Sequence, residues 1–141
     1  MPAYDADNIF AKILRGDIPA YKVYEDGDIL AFLDVMPQSD GHTLILPKTP
    51  ARNILDVDPD VLAKVIKVTQ KIAKAAVKAF EADGALVMQY NEAPAGQTVF
   101  HLHFHVVPRY IGVPLRPHTG KMADSALLAS HAEKLKAALA E

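Results

Sequence analysis

Val61, Val65, Val68, Ile72, Ala76 and Phe80 recur at steps of three or four residues, in a stretch with no glycine or proline after Pro59. That spacing builds one apolar face of a helix about six turns long. A stripe of that length has to be covered by another layer. The remaining apolar runs are short, at residues 21–24, 29–33, 43–46, 85–90 and 98–107, and each is bounded by Gly, Pro, Asp or Asn. Short bounded runs of this kind read as strands. One long helix over five strands joined by turns predicts an α+β domain with a five-stranded antiparallel sheet.

Local signals mark the boundaries. Asp58 can cap the long helix, Pro59 suits its first position, and Asp60 puts an acid in the first turn. Gly84 is expected to end it. Lys64, Lys67, Lys71, Lys74 and Lys78 form its opposite, solvated face. A short helix is expected over residues 7–15, capped by Asp5 or Asp7 and closed by Gly16. Asp26-Gly27 reads as a hairpin turn between the first two strands. Residues 111–120 hold two prolines and two glycines and read as an irregular arm, and residues 125–140 as a final helix. The 141 residues are expected to form a single domain, with a core over about 7–110 and the arm and last helix over 111–141.

Composition excludes several classes. Net charge is −2 with dispersed Lys and Arg, so neither a nucleic-acid stripe nor an anionic membrane surface is expected as a partner. The absence of cysteine rules out disulfides, thiolate metal sites and cysteine nucleophiles. No run reaches the roughly 20 apolar residues of a membrane span and the N-terminus shows no leader pattern, so the expected location is cytoplasmic.

The chemistry concentrates in His101-Leu102-His103-Phe104-His105. On an extended strand, alternate residues share a face. The three histidines then face one way, while Phe100, Leu102, Phe104 and Val106 face the long helix. Three imidazoles make poor core material, because a buried unpaired ring nitrogen costs about 1–3 kcal/mol. Two uses remain: binding a metal through neutral rings, or acting on phosphorus, with one ring as nucleophile and its neighbours as hydrogen-bond donors. The preceding loop supplies neutral polar groups (Asn91, Gln97, Thr98) and a glycine turn at Gly96, a set better suited to an anion than to a cation. The attacking ring must be neutral, and a bond from its Nδ1–H to a carbonyl would leave Nε2 free.

With these residues in view, the chain resembles the histidine triad family of nucleotide hydrolases and transferases. The signature His-φ-His-φ-His-φ-φ is matched by residues 101–107, and the resemblance runs over about residues 7–110. Residues 8–48 look like the Hint-like branch, and AGQTVFHLHFHVVPR is also similar to the Fhit-like branch. The resemblance implies that His103 attacks the α-phosphorus and forms a covalent nucleotidyl-histidine that water hydrolyses. It implies that His105 binds phosphate oxygen and assists the leaving group, that His101 supports its neighbours, and that His42 is a fourth family histidine. Asp34 matches the ribose-binding acid. Phe10, Phe32 and Val35 match the base pocket, and Asn91, Gly96, Gln97 and Thr98 the phosphate side.

A purine nucleotide substrate and a homodimer follow as expectations, with no cofactor. Three activities are consistent with the same residues: hydrolysis of a nucleoside 5′-phosphoramidate or related AMP derivative, Fhit-like cleavage of a dinucleoside polyphosphate, or nucleotide binding with incidental turnover. The family's bacterial zinc site is not matched, since residues 8–11 read Asn-Ile-Phe-Ala and Pro50 replaces a histidine, so no structural zinc is expected. In the arm, Arg116, His118 and Lys121 are candidate phosphate contacts.

Overall fold

The computed structural model describes residues 1–118 and 121–141; Thr119 and Gly120 of the expected arm lie outside the described residues. Strands β1 (Lys22–Glu25), β2 (Ile29–Leu33), β3 (Thr43–Pro47), β4 (Gly84–Met88) and β5 (Phe104–Arg109) form one five-stranded sheet. Its order is β1-β2-β3-β5-β4 and every neighbouring pair is antiparallel. Helices α1 (Ile9–Leu14), α2 (Pro59–Ala79) and α3 (Ser125–Leu139) complete the α+β fold, with a single 3₁₀ turn at Ala93–Ala95. Among the described residues, no helix is long and apolar enough to cross a membrane.

Both central strands, β2 and β3, are buried along their whole length because the sheet is covered on two sides. Ile29, Ala31, Leu33, Ile45, Leu102, Phe104 and Val106 pack on Val65, Val68 and Ile72 of α2 and on Leu128 and Leu135 of α3. Burying each such side chain contributes roughly 1.5–3 kcal/mol. The alternate residues Leu30, Phe32, Leu44 and Leu46 point the other way and pack on Phe10 and Ile13 of α1. Strand parity therefore assigns His105, between Phe104 and Val106, to the α1 side. Leu102, Phe104 and Val106 of the expected apolar face are thus on α2, whereas Phe100 lies under Arg52 beside the start of α1.

The long helix starts as expected: the Asp58 carboxylate accepts from the Asp60 N–H at 2.8 Å and Pro59 opens the first turn. Its lysines are exposed. Several boundaries differ. α1 is capped by Asn8, whose side chain accepts from the Ala11 N–H, and not by Asp5 or Asp7. Gly16 closes it at φ +82° as expected. Gly84 does not end α2. The helix stops at a Phe80 cap, the chain turns at Glu81 (φ +50°), and Gly84 opens β4.

The largest difference is β5, which begins at Phe104 and not at Thr98. The backbone before it is committed elsewhere. The Leu102 N–H donates to the Ala51 carbonyl at 2.8 Å, and the carbonyl of His101 accepts from a side chain, as described below. Residues 98–103 are consequently a loop held by specific partners, and the even alternation of histidines along a strand applies only at its end.

Candidate active site

Three chain segments meet on the α1 side of the sheet. Asp34 follows β2, His42 precedes β3, and His103 and His105 straddle the start of β5. Register enforces the meeting, since Leu44 of β3 pairs with His105 and Asp34 N–H donates to the His42 carbonyl at 2.9 Å. The rings of His103 and His105 lie 5.0 Å apart, and those of His42 and His105 5.2 Å.

The protonation pattern of the four rings is dictated by their fixed partners. A carbonyl can only accept, so His103 carries its proton on Nδ1, which donates to the His101 carbonyl at 2.6 Å. Nε2 of His103 is left with an open lone pair. The Gln38 N–H donates to Nδ1 of His42 at 3.1 Å, so neutral His42 holds its proton on Nε2 and donates to Nδ1 of His105 at 2.9 Å. His105 in turn carries its proton on Nε2. The four rings therefore offer one acceptor nitrogen, on His103, beside one N–H donor, on His105.

Electrostatics keep this pattern at neutral pH. Burial pushes His42 and His101 down to about 4, against the attraction of Asp34 in the first case and the Pro47 carbonyl in the second. Burial and the like charges of neighbouring histidines bring His105 to about 3. His103 is also lowered, by burial, with the His101 carbonyl and Asp34 opposing.

His101 does not join the reactive group. It is fully buried; its Nε2–H donates to the Pro47 carbonyl at 2.8 Å and its Nδ1 accepts from the Tyr4 hydroxyl at 2.7 Å. Both nitrogens are occupied, so the expectation of three rings on one face is corrected to two triad rings plus His42. What His101 gives the site is its backbone carbonyl, which orients His103.

Of the nucleoside-side residues, Asp34 lies beside His42, and Phe10 and Phe32 lie with His103. The Asp34 side chain is buried; Oδ1 accepts from the Met36 N–H at 2.8 Å, and Oδ2 lies 3.6 Å from Nε2 of His42. Phe10 stands edge-on to His103 at 4.8 Å and to Phe32 at 5.5 Å. Phe10 and Phe32 are core residues of the α1 side, while Val35 is half-buried and packs against the α2 side.

The phosphate-side set divides. Gly96 (φ +105°) and Thr98 are exposed, and Thr98 lines a pocket of about 310 Å³ beside the start of α1. Gln97 is buried and its amide is fully engaged: Oε1 accepts from the Glu92 N–H and from Asn53, and Nε2 donates to the carbonyls of Arg52 and Val99. Gln97 therefore shapes the loop and is not free to contact a ligand, a correction to its expected role. Asn91 is largely engaged too. It accepts from the Ile54 N–H and exchanges hydrogen bonds with Gln89.

The loop also carries a strained residue. Glu92 sits at φ +74°, ψ 160°, a conformation that residues with a Cβ adopt only where the surroundings enforce it. Here Arg52 forms two bonds to its carboxylate, at 2.7 and 2.9 Å, and Asn53 a third at 2.6 Å. Arg52 holds that carboxyl below the ordinary carboxylate range and stacks over Phe100 at 4.1 Å. Arg52, Asn53, Tyr4 and the Gln38 N–H were not expected from the sequence. The partners of Arg52, Asn53 and Tyr4 lie far along the chain, 40 residues away for Arg52 and Glu92, and no local pattern marks them; Gln38 reaches His42 within one tight loop.

Asp34, His42 and His105 bring three potential metal-ligand atoms within 4.8 Å of one another. The hydrogen bonds argue against that use. With Nδ1 accepting from the backbone, Nε2 of His42 carries its proton and has no lone pair for an ion. The cluster is a hydrogen-bonded chain from the Gln38 N–H through His42 to His105.

Of the arm residues, Arg116 pairs with Asp40 at 2.6 Å, Nε2 of His118 lies 3.4 Å from Asp34 Oδ2, and Lys121 is exposed. None of these contacts is with the triad rings themselves.

Comparison with known proteins agrees with this fold. The family model described as HIT domain matches residues 15–112. A crystal structure of a Hit-like protein involved in cell-cycle regulation from Bartonella henselae is 53% identical, with a TM-score of 0.91 over 96% of this chain and 99% of that one. A hypothetical histidine triad nucleotide-binding protein from Sulfolobus tokodaii is 31% identical, with a TM-score of 0.86 over 93% of this chain and 91% of its own. The adenylylsulfatase HINT3 of Arabidopsis thaliana is 37% identical over 126 residues, which is 85% of this chain and 64% of the plant protein. The chain belongs to the HIT, or histidine triad, family, a superfamily of nucleotide-binding hydrolases and transferases.

Proposed function

We propose that the protein hydrolyses a purine nucleoside 5′-phosphoramidate, or a related adenylyl derivative, at its α-phosphorus through a nucleotidyl-His103 intermediate. The observation that carries this reading is the bond from His103 Nδ1–H to the His101 carbonyl, which leaves Nε2 as the open lone pair of the site. Nε2 attacks phosphorus and the bond to the leaving group breaks. The carbonyl then stabilises the positive charge that develops on the ring. The Nε2–H of His105 is available to an equatorial oxygen or the departing atom, where preorganised donors contribute most. Water next attacks the phosphorus, releases the nucleoside monophosphate and returns His103 neutral. Over the cycle one proton of that water ends on the leaving group.

Asp34 would accept the ribose hydroxyls, a charge-assisted pair, and Phe10, Phe32 and Val35 would line the base. Gly96 and Thr98 would face the phosphate, with Asn91 and Gln97 holding their loop in place. The working unit is proposed to be a homodimer joined along the edge of β4, where Ala85 and Val87 are exposed. A hydrolase of an adenylyl derivative among the relatives supports the substrate class.

Rates on an adenosine phosphoramidate and on a diadenosine polyphosphate, measured side by side, test the assignment. The phosphoramidate is expected to have the larger kcat/KM; the reverse order would move the protein to the dinucleotide-cleaving reading. The pH profile tests the nucleophile. The profile of kcat/KM reports groups of the free enzyme. Because His103 is lowered, it stays neutral through its ordinary value of about 6.5, and activity should hold level from about pH 8 to 6 and fall only below that. Stability moves in the same direction. His42 and His101 are unprotonated in the fold, so their contribution is complete above about pH 6.5 and shrinks as pH falls toward about 4, where the unfolded chain alone takes up protons. An acid limb centred at or above the ordinary imidazole value would contradict the burial account.

A further inference from the structure

We infer that residues 113–118 form an autoinhibitory strap in which His118 occupies the place at Asp34 that a ribose hydroxyl must take. The inference rests on the nucleotide-site reading of Asp34. Three observations carry it. First, Asp34 is only 7% exposed, and Nε2 of His118, a side chain 44% exposed, lies 3.4 Å from its Oδ2. Oδ1 already accepts from the Met36 N–H, so Oδ2 is the oxygen with more acceptor capacity left for a sugar hydroxyl.

Second, the segment is tied along the loop that follows Asp34. The Arg116 N–H donates to the Gln38 carbonyl at 2.8 Å, and the Arg116 guanidinium donates to Asp40 at 2.6 Å. Farther on, the Ala123 N–H donates to the Val35 carbonyl at 2.8 Å. These partners bracket the nucleoside end of the site and leave the catalytic rings alone. Third, the side-chain tie that holds the strap, Arg116 to Asp40, is exposed, and exposed pairs contribute little to stability, so a ligand that competes for Asp34 has little to overcome.

The device works by competition. A ligand shifts a two-state equilibrium only by its preference for one state, and its apparent affinity is reduced by the fraction of protein that is closed. A ribose with both hydroxyls displaces His118 and holds Asp34 in its place. A ligand without the diol gains nothing from that exchange. His118 is thus the internal stand-in for the sugar, and it sets how strongly binding depends on the ribose.

Calorimetric titration with AMP and with its 2′,3′-dideoxy analogue tests this, on the wild type, His118→Ala and Arg116→Ala. Both side chains are exposed, so the variants should keep the wild-type melting temperature. Removing either closing contact is expected to tighten AMP binding by at least about threefold and lower KM for the phosphoramidate by a similar factor. The gain for the dideoxy analogue should be smaller. AMP affinity that is unchanged or weaker in both variants, or an equal gain for the two ligands, would overturn the strap while leaving the nucleotide site standing. AMP binding to none of the three proteins would overturn the nucleotide reading itself, and the strap with it.

Discussion

Replacing His103 with alanine is expected to reduce single-turnover hydrolysis of an adenosine phosphoramidate by at least about a thousandfold, while AMP affinity changes only a few-fold. The asymmetry follows from the geometry. Asp34, Phe32, Val35, Gly96 and Thr98 keep their places without the ring, so the groups proposed to hold nucleoside and phosphate survive. What disappears is the lone pair that bonds phosphorus. The other rings cannot substitute: His101 has both nitrogens occupied, Nδ1 of His42 and of His105 each accept a hydrogen bond, and their remaining nitrogens carry protons. The substitution also frees the His101 carbonyl and removes the edge-on contact with Phe10. A stability loss of about 1–3 kcal/mol is therefore expected, and rates should be compared where both proteins are folded. Residual activity within tenfold of wild type would mean that another group, or water, attacks phosphorus.

The second large effect is on stability, at Gly41. This residue precedes His42 in a left-handed conformation, φ +87°, that disfavours any side chain. A Cβ placed there would lie 2.5 Å from the Phe80 ring. The ring cannot withdraw freely, because it caps α2 and packs edge-on against His131 of α3 at 5.1 Å. Gly41→Ala therefore combines a left-handed backbone cost with overpacking, about 2–4 kcal/mol in all. Thermal or urea denaturation should show that loss. The same change moves the backbone next to His42, so the donor chain to His105 should suffer and kcat fall along with stability. A variant as stable as wild type would show that the loop from Asp34 to His42 relaxes without cost.

How much was legible in advance depended on the range of the interactions. The cap and apolar face of α2 are local, set by Asp58, Pro59 and the spacing from Val65 to Ala76, and they are where the sequence placed them. β2 is the run 29–33, bounded by the Asp26-Gly27 turn before it and the loop that starts at Asp34 after it. The site acid and His42 were identified through resemblance, and strand register brings them together. The alternation argument failed for His101 because it assumed an extended strand from Thr98. The Leu102 N–H, the His101 carbonyl and the Gln97 amide instead bind groups outside the sheet, and β5 cannot start until those commitments end. Gln97 looked like a ligand-binding amide and is a structural one, since its partners are the backbone of Arg52 and Glu92. Contacts across long stretches of chain, Tyr4 to His101 or His118 to Asp34, leave no periodic trace and emerge only in the fold.

The most direct test of the central claim is the stereochemical course at an isotopically chiral α-phosphorus. Attack by His103 followed by water comprises two in-line displacements, and the account predicts overall retention of configuration. Inversion would mean that water attacks the substrate directly, and would contradict the nucleotidyl-histidine on which the mechanism rests.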